Sequence, residues 1–324
     1  MSITVRPFQP AEAEQWDRFC RDSLQATFLH HRRFLSYHRE RFVDCSLVIE
    51  EDGHWLGLLP AAYLPESGRE AAGRRIASHP GITYGGVIHQ GALLGGRMLE
   101  AFEAIIRHYR EAGAATLVYK VVPHFYHRVP AQDDLYALFR LGARRLRCDL
   151  SSTIDLAARR APTERRRRSL GRAVKQGIVV RDGVSQLGDF WNILSANLAR
   201  RHNAKPVHSL AEIELLADRF PAEIRCYGAY LHEEMLAGTV LFATPVTLHA
   251  QYIAATEEGM RTSALDAVFD HLLNLAAQEG YRWFDFGIST EKQSFSLNEG
   301  LYRFKSEFGG GGTVHEIYEL DLRQ

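Results

Sequence analysis

Apolar and polar positions follow two periods along this chain, and the same succession of periods occurs twice. In "LEAFEAIIRHYREAG", Leu99, Phe102, Ile105, Ile106 and Tyr109 recur at helical spacing. In "LDAVFDHLLNLAAQEG", Leu265, Val268, Phe269, Leu272 and Ala276 do the same. Each pattern meets a glycine, Gly113 or Gly280, which suits the end of a helix because glycine tolerates positive φ. Each then runs into a strand pattern, "AATLVYKVV" or "YRWFDFG". Upstream, "CSLVIEEDGHWLGLLPAAY" and "CYGAYLHEEMLAGTVLFAT" each predict strand, acidic turn and strand, with Gly57 and Gly238 at similar places. Before these, "HHRRFLSYHRERF" (His30 to Phe42) and "HSLAEIELLADRF" (His208 to Phe220) both predict a helix that ends in Arg-Phe. Four successive elements therefore match in order, which identifies an internal repeat.

Each half is expected to read strand, two helices, three-stranded antiparallel meander, helix, strand, short helix and closing strand. A meander followed by a β-α-β crossover makes a mixed sheet, so the fold class is α/β. The first half carries a Gly-rich insertion, "PESGREAAGRRIASHPG", expected as loop. "SSTIDL" opens the second half, which places the domains at residues 1–150 and 151–324.

Composition changes this picture little. At 324 residues the chain is long enough for two cores. Lys+Arg and Asp+Glu are 39 each, so no global field favours DNA, and contact with RNA or with a membrane surface would need a local patch. No apolar run approaches the roughly 20 residues that span a bilayer. Cys20, Cys45, Cys148 and Cys226 are scattered, and the histidines show no metal-ligand spacing. A cytoplasmic protein without a metal is the expectation.

The basic stretch "ERRRRSLGRAVKQGIVV", the strand and turn "YRWFDFGIST", the segment "NEGLYRFKSEFGG" and the loop "RRHNAKPVHS" add specific detail to the duplicated pattern. In this order and spacing the chain resembles the FemAB-like family of tandem GNAT acyltransferases, along nearly its whole length. The resemblance implies two GNAT-like domains with the active site in the second. It also implies an acyl donor lying between two parallel strands that splay apart, here "LHAQYIAAT" and "YRWFDFG". Acetyl-CoA-binding GNAT domains carry a Q/R-x-x-G-x-G/A turn whose amides bind pyrophosphate. This chain departs from it: "EEGMRTSALDAVF" offers only Gly259, Arg261, Thr262 and Ser263 as cofactor-binding candidates. The donor is therefore left open between an acyl-CoA such as acetyl-CoA and an aminoacyl-tRNA, each as a cosubstrate that is not tightly held.

Acyl transfer to an amine needs a base and a donor for the developing oxyanion. Asp285, in the middle of an apolar strand, and Glu291 just beyond it are candidate bases. Tyr252 or a backbone amide is the candidate oxyanion donor, and Ser289 and Thr290 present hydroxyls at the expected mouth. The bland alternative for Asp285 is a structural carboxylate bonded to backbone or to an arginine, and for Glu291 a solvated loop residue. Lys305 by its spacing alone is a solvated helix residue. The resemblance instead places it near the reacting acyl group, stabilising negative charge. Arg165, Arg168, Arg172 and Lys175 fall on one face of a helix capped by Thr163, with Leu170, Ala173 and Val174 opposite. They form either a solvated face or a phosphate clamp, and by resemblance that clamp meets a nucleotide-linked acceptor or tRNA. Arg201, His202, Lys205 and His208 are candidate contacts to an acidic sugar or phosphate, or else helix-end charge. Lys120 and His124 mark a possible second half-site, unless the first copy is purely structural. No serine or cysteine sits in a nucleophile motif, so direct attack by the amine is expected. The resulting expectation is an N-acyl or N-aminoacyl transferase acting on a nucleotide- or lipid-linked precursor of the cell-envelope glycan. Its rival is a non-catalytic double GNAT module that binds a nucleotide sugar or RNA.

Overall fold

Where a strand packs against a neighbouring segment with less than a side chain's width between them, glycine is the residue that fits, and both repeated glycines occupy such places. A Cβ on Gly57 would lie 2.7 Å from Leu93 Cδ1, and one on Gly238 would lie 2.8 Å from both Phe190 Cδ2 and Tyr227 O. Gly113 and Gly280 close their helices with φ of +79° and +80°. The computed structural model describes residues 2–65, 74–202, 204–291 and 294–323. Part of the inserted loop, residues 66–73, lies outside them. The chain divides into two compact units, Met1–Asp149 with Val314–Gln324, and Leu150–Thr313. The last residues thus group with the first unit, unlike the expected division at 150/151. The closing strand, Gly311–Asp321, itself runs across that division.

In chain order the first unit contains β1 (Thr4–Pro7), α1 (Ala13–Asp22), α2 (Arg32–Leu35), β2 (Leu47–Glu51) and β3 (His54–Leu59). It continues with β4 (Ala62–Tyr63), β5 (Arg74–Ala77), β6 (Ile88–His89), α3 (Gly96–Glu111), β7 (Ala114–Lys120) and α4 (Asp133–Arg140). Strand β8 (Arg144–Asp155) leads into the second unit, with α5 (Glu164–Lys175), β9 (Val179–Asp182), α6 (Leu187–His202) and α7 (Leu210–Arg219). There follow β10 (Ile224–Leu231), β11 (Glu234–Ala243), β12 (Thr247–Ala255), α8 (Glu257–Thr262) and α9 (Ala264–Gln278). Strand β13 (Trp283–Ile288), the hairpin β14 (Thr290–Glu291) and β15 (Ser296–Leu297), α10 (Glu299–Ser306) and β16 (Gly311–Asp321) complete it.

The first unit departs from the expected meander. Strands β1-β2-β3-β6 form one sheet, while β4 joins β5, β7, β16 and β8. Pro60 explains the break: it cannot donate to a ladder, so β3 stops at Leu59 and the chain re-enters pairing in the other sheet. The expected helix from His30 to Phe42 is also shorter. It survives as α2, followed by 3-10 turns through Arg41 with Arg39 at φ +51°. Phe34, Leu35, Tyr37 and His38 are all buried there, and the left-handed backbone at Arg39 is what ends the helical run.

The second unit keeps its meander, with strand order β8-β13-β12-β11-β10-β9. Helix α7 begins at a Ser209/Glu212 capping box, as its sequence predicts. The two faces of this sheet can be assigned from the alternation of side chains. Phe284, Phe286, Leu248, Ala250, Leu241 and Ile154 pack with Phe269 and Leu272 of α9 in one apolar core. Burying a ring such as Phe269 contributes about 2–3 kcal/mol. The intervening residues Asp285, His249 and Thr153 therefore rise from the opposite face, the one on which α6 packs through Trp191 against Tyr252.

Adding a methyl at Gly238 is expected to lower unfolding free energy in urea by about 2 kcal/mol, since backbone stands in its way. Gly171→Ala, which meets open space on a helix, is expected to raise it by about 0.5–1 kcal/mol.

Candidate active site

Parallel pairing between β12 and β13 covers only Thr247, Leu248 and His249 against Trp283, Phe284 and Asp285. Beyond that register β12 continues to Ala255, while β13 bulges away in its pairing with β8 between Asp285 and Ile288. The strands part where His249 faces Asp285. Asp285 is fully buried, and its charge is met by three donors. Oδ1 accepts from Ser151 Oγ at 2.5 Å and Thr153 Oγ1 at 2.9 Å, and Oδ2 lies 2.7 Å from His249 Nδ1. Thr153 Oγ1 in turn lies 2.5 Å from Thr313 Oγ1. Such a carboxylate is affordable in an apolar strand because both of its oxygens are hydrogen-bonded.

Gly287 shapes the far wall. Its φ of +77° lets the chain bulge, and a methyl placed there would stand 3.5 Å from His249 Cε1 and 3.6 Å from Ala250 O. Glycine thus leaves room beside the imidazole. Lys305, on α10, is buried and donates from Nζ to Gly287 O at 2.9 Å and Ile288 O at 2.7 Å. Burial lowers its pKa to about 8, and the nearby charge of Asp285 works against that fall. Ser289 is buried too. Its amide donates to Leu150 O, its carbonyl accepts from Asn298 N, and its hydroxyl has no partner among the described residues. Thr290 pairs with Leu297 in the hairpin. Glu291 is exposed and accepts from Asn298 Nδ2 at 2.8 Å, so it braces the cap of α10 instead of entering the gap.

A cleft of ≈ 650 Å³ brings together two candidate sets that the sequence assigned to different ligands. Arg165, Arg168 and Arg172 of α5 line it with Gly259 and Ser263 at the α8–α9 junction, and with Phe304 beside Lys305. Arg172 Nη1 reaches Ser263 Oγ at 3.4 Å. Three of the expected contacts lie differently. Lys175 does not line the cleft, Arg261 pairs with Glu258 on its own helix, and the Thr262 hydroxyl donates to Glu258 O. Gly259 has a packing role, for a Cβ would meet Leu236 O at 2.2 Å, and its amide already donates to the Thr256 cap. The buried face of α5 also differs from the expected one. Arg166, Ser169 and Ala173 point inward while Val174 is exposed, because Asp266 and Glu307 wait for the Arg166 guanidinium at 2.8 and 3.2 Å.

Tyr252 and His208 meet, with Oη 2.5 Å from Nδ1, and burial pushes the phenol up to about 12. Lys205 is exposed in the preceding loop, and of Arg201 and His202 only the place in α6 is described. In the first unit, Lys120 is turned into the protein. Its Nζ donates to His79 O at 3.3 Å and to Ile82 O, and burial lowers its pKa to about 8. Its backbone is tied as well, to Ser78 Oγ at 2.7 Å and Gly85 N at 2.9 Å. The chain's own residues therefore follow the β5–β7 pairing where ligand was expected. His124 is exposed on a short turn, edge-on to Phe125 at 5.7 Å.

Parallel strands that part above a bulge, flanked by a long helix on each face, are the decisive geometry. Residues 157–306 match the family model described as an acetyltransferase (GNAT) domain. FemX superposes with a TM-score of 0.69 at 12% identity, covering 97% of this chain and 96% of FemX. The fold is that of the FemAB-like tandem GNAT proteins. L-PGS from Bacillus licheniformis shares it with a TM-score of 0.62 at 10% identity, over 98% of this chain and 94% of that one. A tandem GNAT protein from the clavulanic acid biosynthesis pathway does so at 0.52 and 12% identity, over 100% and 99%. No curated protein matches the sequence. Among the described residues of this GNAT fold, no helix is long and apolar enough to cross a membrane, and no cluster of side chains is arranged to hold a metal.

Sequence reasoning missed His249, Ser151, Thr153 and the Arg166–Asp266 pair. The signal for His249 was present as a polar residue in the strand predicted to lie beside that of Asp285, but only the register shows that they meet.

Because Lys305 holds fewer protons folded than unfolded between its pKa of about 8 and the ordinary 10.5, its contribution to stability is complete above 10.5 and falls away as pH drops through 8. Relative to Lys305→Met, the wild type is expected to gain about 2 kcal/mol of unfolding free energy between roughly pH 7 and 9.5, read from urea titrations.

Proposed function

We propose that the chain is an N-acyltransferase that moves an acyl or aminoacyl group from a phosphate-bearing carrier to an amine. The acceptor is a nucleotide- or lipid-linked precursor of the cell envelope. The observation that carries this reading is one placement. The gap opening past His249 and Asp285 and the cleft lined by Arg165, Arg168 and Arg172 both lie at the carboxyl ends of β12 and β13. A carrier held by its phosphates against the guanidinium groups can extend its acyl end into the gap. Arg166 is unsuited to that task, being occupied by Asp266 and Glu307, so the exposed arginines around it are the ones that meet phosphate.

Inside the gap, Lys305 and the bulge it holds lower the cost of negative charge on the tetrahedral intermediate. Tyr252, kept protonated by burial, is the side-chain oxyanion donor. The amide of Gly259 is engaged by Thr256, so guanidinium side chains take the place of a glycine-rich pyrophosphate turn. That arrangement suits an aminoacyl-tRNA carrier as well as an acyl-CoA. A fold relative, the C-terminal domain of a putative lysylphosphatidylglycerol synthetase from Agrobacterium fabrum (TM-score 0.55, 14% identity, 82% of this chain and 81% of that one), carries an aminoacylated lipid in its name.

Incubation with each donor class and an amine-bearing glycan precursor, analysed by mass spectrometry, is expected to yield an amide. Loss of that product on RNase treatment identifies the tRNA carrier, and release of free thiol identifies CoA. No amide from either class contradicts the reading. With the active donor, Arg165→Glu together with Arg168→Glu is expected to raise KM about tenfold or more and to flatten its salt dependence, with unchanged melting temperature.

A further inference from the structure

The buried carboxylate and its imidazole divide one catalytic task between them, and their exposures show which does what. The Asp285 side chain is 0% exposed and that of His249 11%, so a substrate entering the gap reaches the ring and not the acid. Asp285 also receives Ser151, Thr153 and His249 as donors, which leaves it poorly placed to take up a proton of its own. We propose that His249 is the general base of the transfer, and that Asp285, which residue chemistry alone would make the base, is a positioning residue acting through it. This rests on the acyl-transfer reading above.

The geometry supports the assignment in three ways. The carboxylate oxygen 2.7 Å from Nδ1 favours the tautomer that carries its proton there, which makes Nε2 the acceptor. Gly287, with no side chain, keeps space next to the ring at Cε1. His249 is also the last residue of β12 paired to β13, so its ring stands at the opening of the gap. Among the described residues the charged group facing the pair is Lys305 from α10, and the neutral hydroxyls of Ser151 and Thr153 from β8 bond to the carboxylate.

The step balances without another reactant. The amine nitrogen attacks the acyl carbon, the N–C bond forms, and the nitrogen's proton passes to His249 Nε2. When the intermediate collapses, the bond to the carrier's oxygen or sulfur breaks with its electron pair, and the imidazolium returns the proton to that atom. Asp285 stabilises the imidazolium in between and keeps the ring oriented.

The test compares pH–rate profiles of wild type, His249→Gln and Asp285→Asn with the donor that supports turnover, each variant checked by its melting curve. Wild type is expected to lose kcat on the acid side. His249→Gln should fall by about 10²–10⁴-fold and lose that acid limb. Asp285→Asn should fall as well but retain a limb at a displaced pH. A folded His249→Gln that keeps the acid limb and more than about a tenth of the wild-type rate overturns the proposal, since general-base removal costs far more. Should a variant not fold, nitrogen-15 NMR of the wild type's His249 decides without turnover. A proton on Nδ1 and a bare Nε2 at neutral pH support the assignment, and the reverse tautomer overturns it. A wild type inactive with every donor sinks the transferase reading instead, whatever the NMR shows of the ring.

Discussion

One buried negative charge organises the second unit. Asp285 stands in a strand whose neighbours Phe284 and Phe286 belong to an apolar core, and donors such as Ser151, Thr153 and His249 make the charge tolerable. Those donors come from β8 on one side and β12 on the other, so the carboxylate ties together the strands that flank β13. Removing any donor would leave a buried charge short of a partner, a loss of order 1–3 kcal/mol. The same charge acts on Lys305, and Lys305 grips the two carbonyls of the bulge. The opening of the gap and the electrostatics within it thus have a common origin.

The first unit lacks that arrangement, and its strands stay closed. Its parallel pair, β5 and β7, runs from Arg74 and Ala114 to Ala77 and Val118. The chain after β5 then stays bonded to β7: Ser78 N donates to Val118 O, and Gly85 N to Lys120 O. Lys120 holds carbonyls of that same segment, much as Lys305 holds those of the bulge, yet no carboxylate–imidazole pair stands beside it among the described residues. Each unit therefore holds a buried lysine against backbone carbonyls, Lys120 from the end of β7 and Lys305 from α10, while only in the second does the parallel pair part beside a carboxylate–imidazole pair among the described residues.

Much of this was legible in the chain before its fold was known. The helical spacing of Leu265 to Ala276, the glycines at 113 and 280 and the cap at Thr163 are local features, and local features are set by nearby residues. Asp285 stood out because a charge in an apolar run demands a reason, whereas Lys305 stood out only through the family resemblance. What stayed hidden depends on register and on distant partners. His249 becomes meaningful only when β12 lies three residues deep against β13. Arg166 looked like one more cation in a basic run, and its burial reflects Asp266 a hundred positions later. Glu291 and Lys120 read as site residues because nothing local announces that Asn298 and the Ile82 carbonyl will claim them. Val174 misled for the same reason, since it is exposed while Arg166 turns inward to the acids it meets, beside the buried Ala173.

The central claim is that an acyl group sits between β12 and β13 just past the point where they part. A crystal structure with a non-reactive amide analogue of the donor tests it most directly. The account predicts phosphate against Arg165 and Arg168, with the acyl carbonyl beside His249 and within the space left by Gly287. Density for the analogue elsewhere on the protein, with the gap closed by side chains, would contradict it.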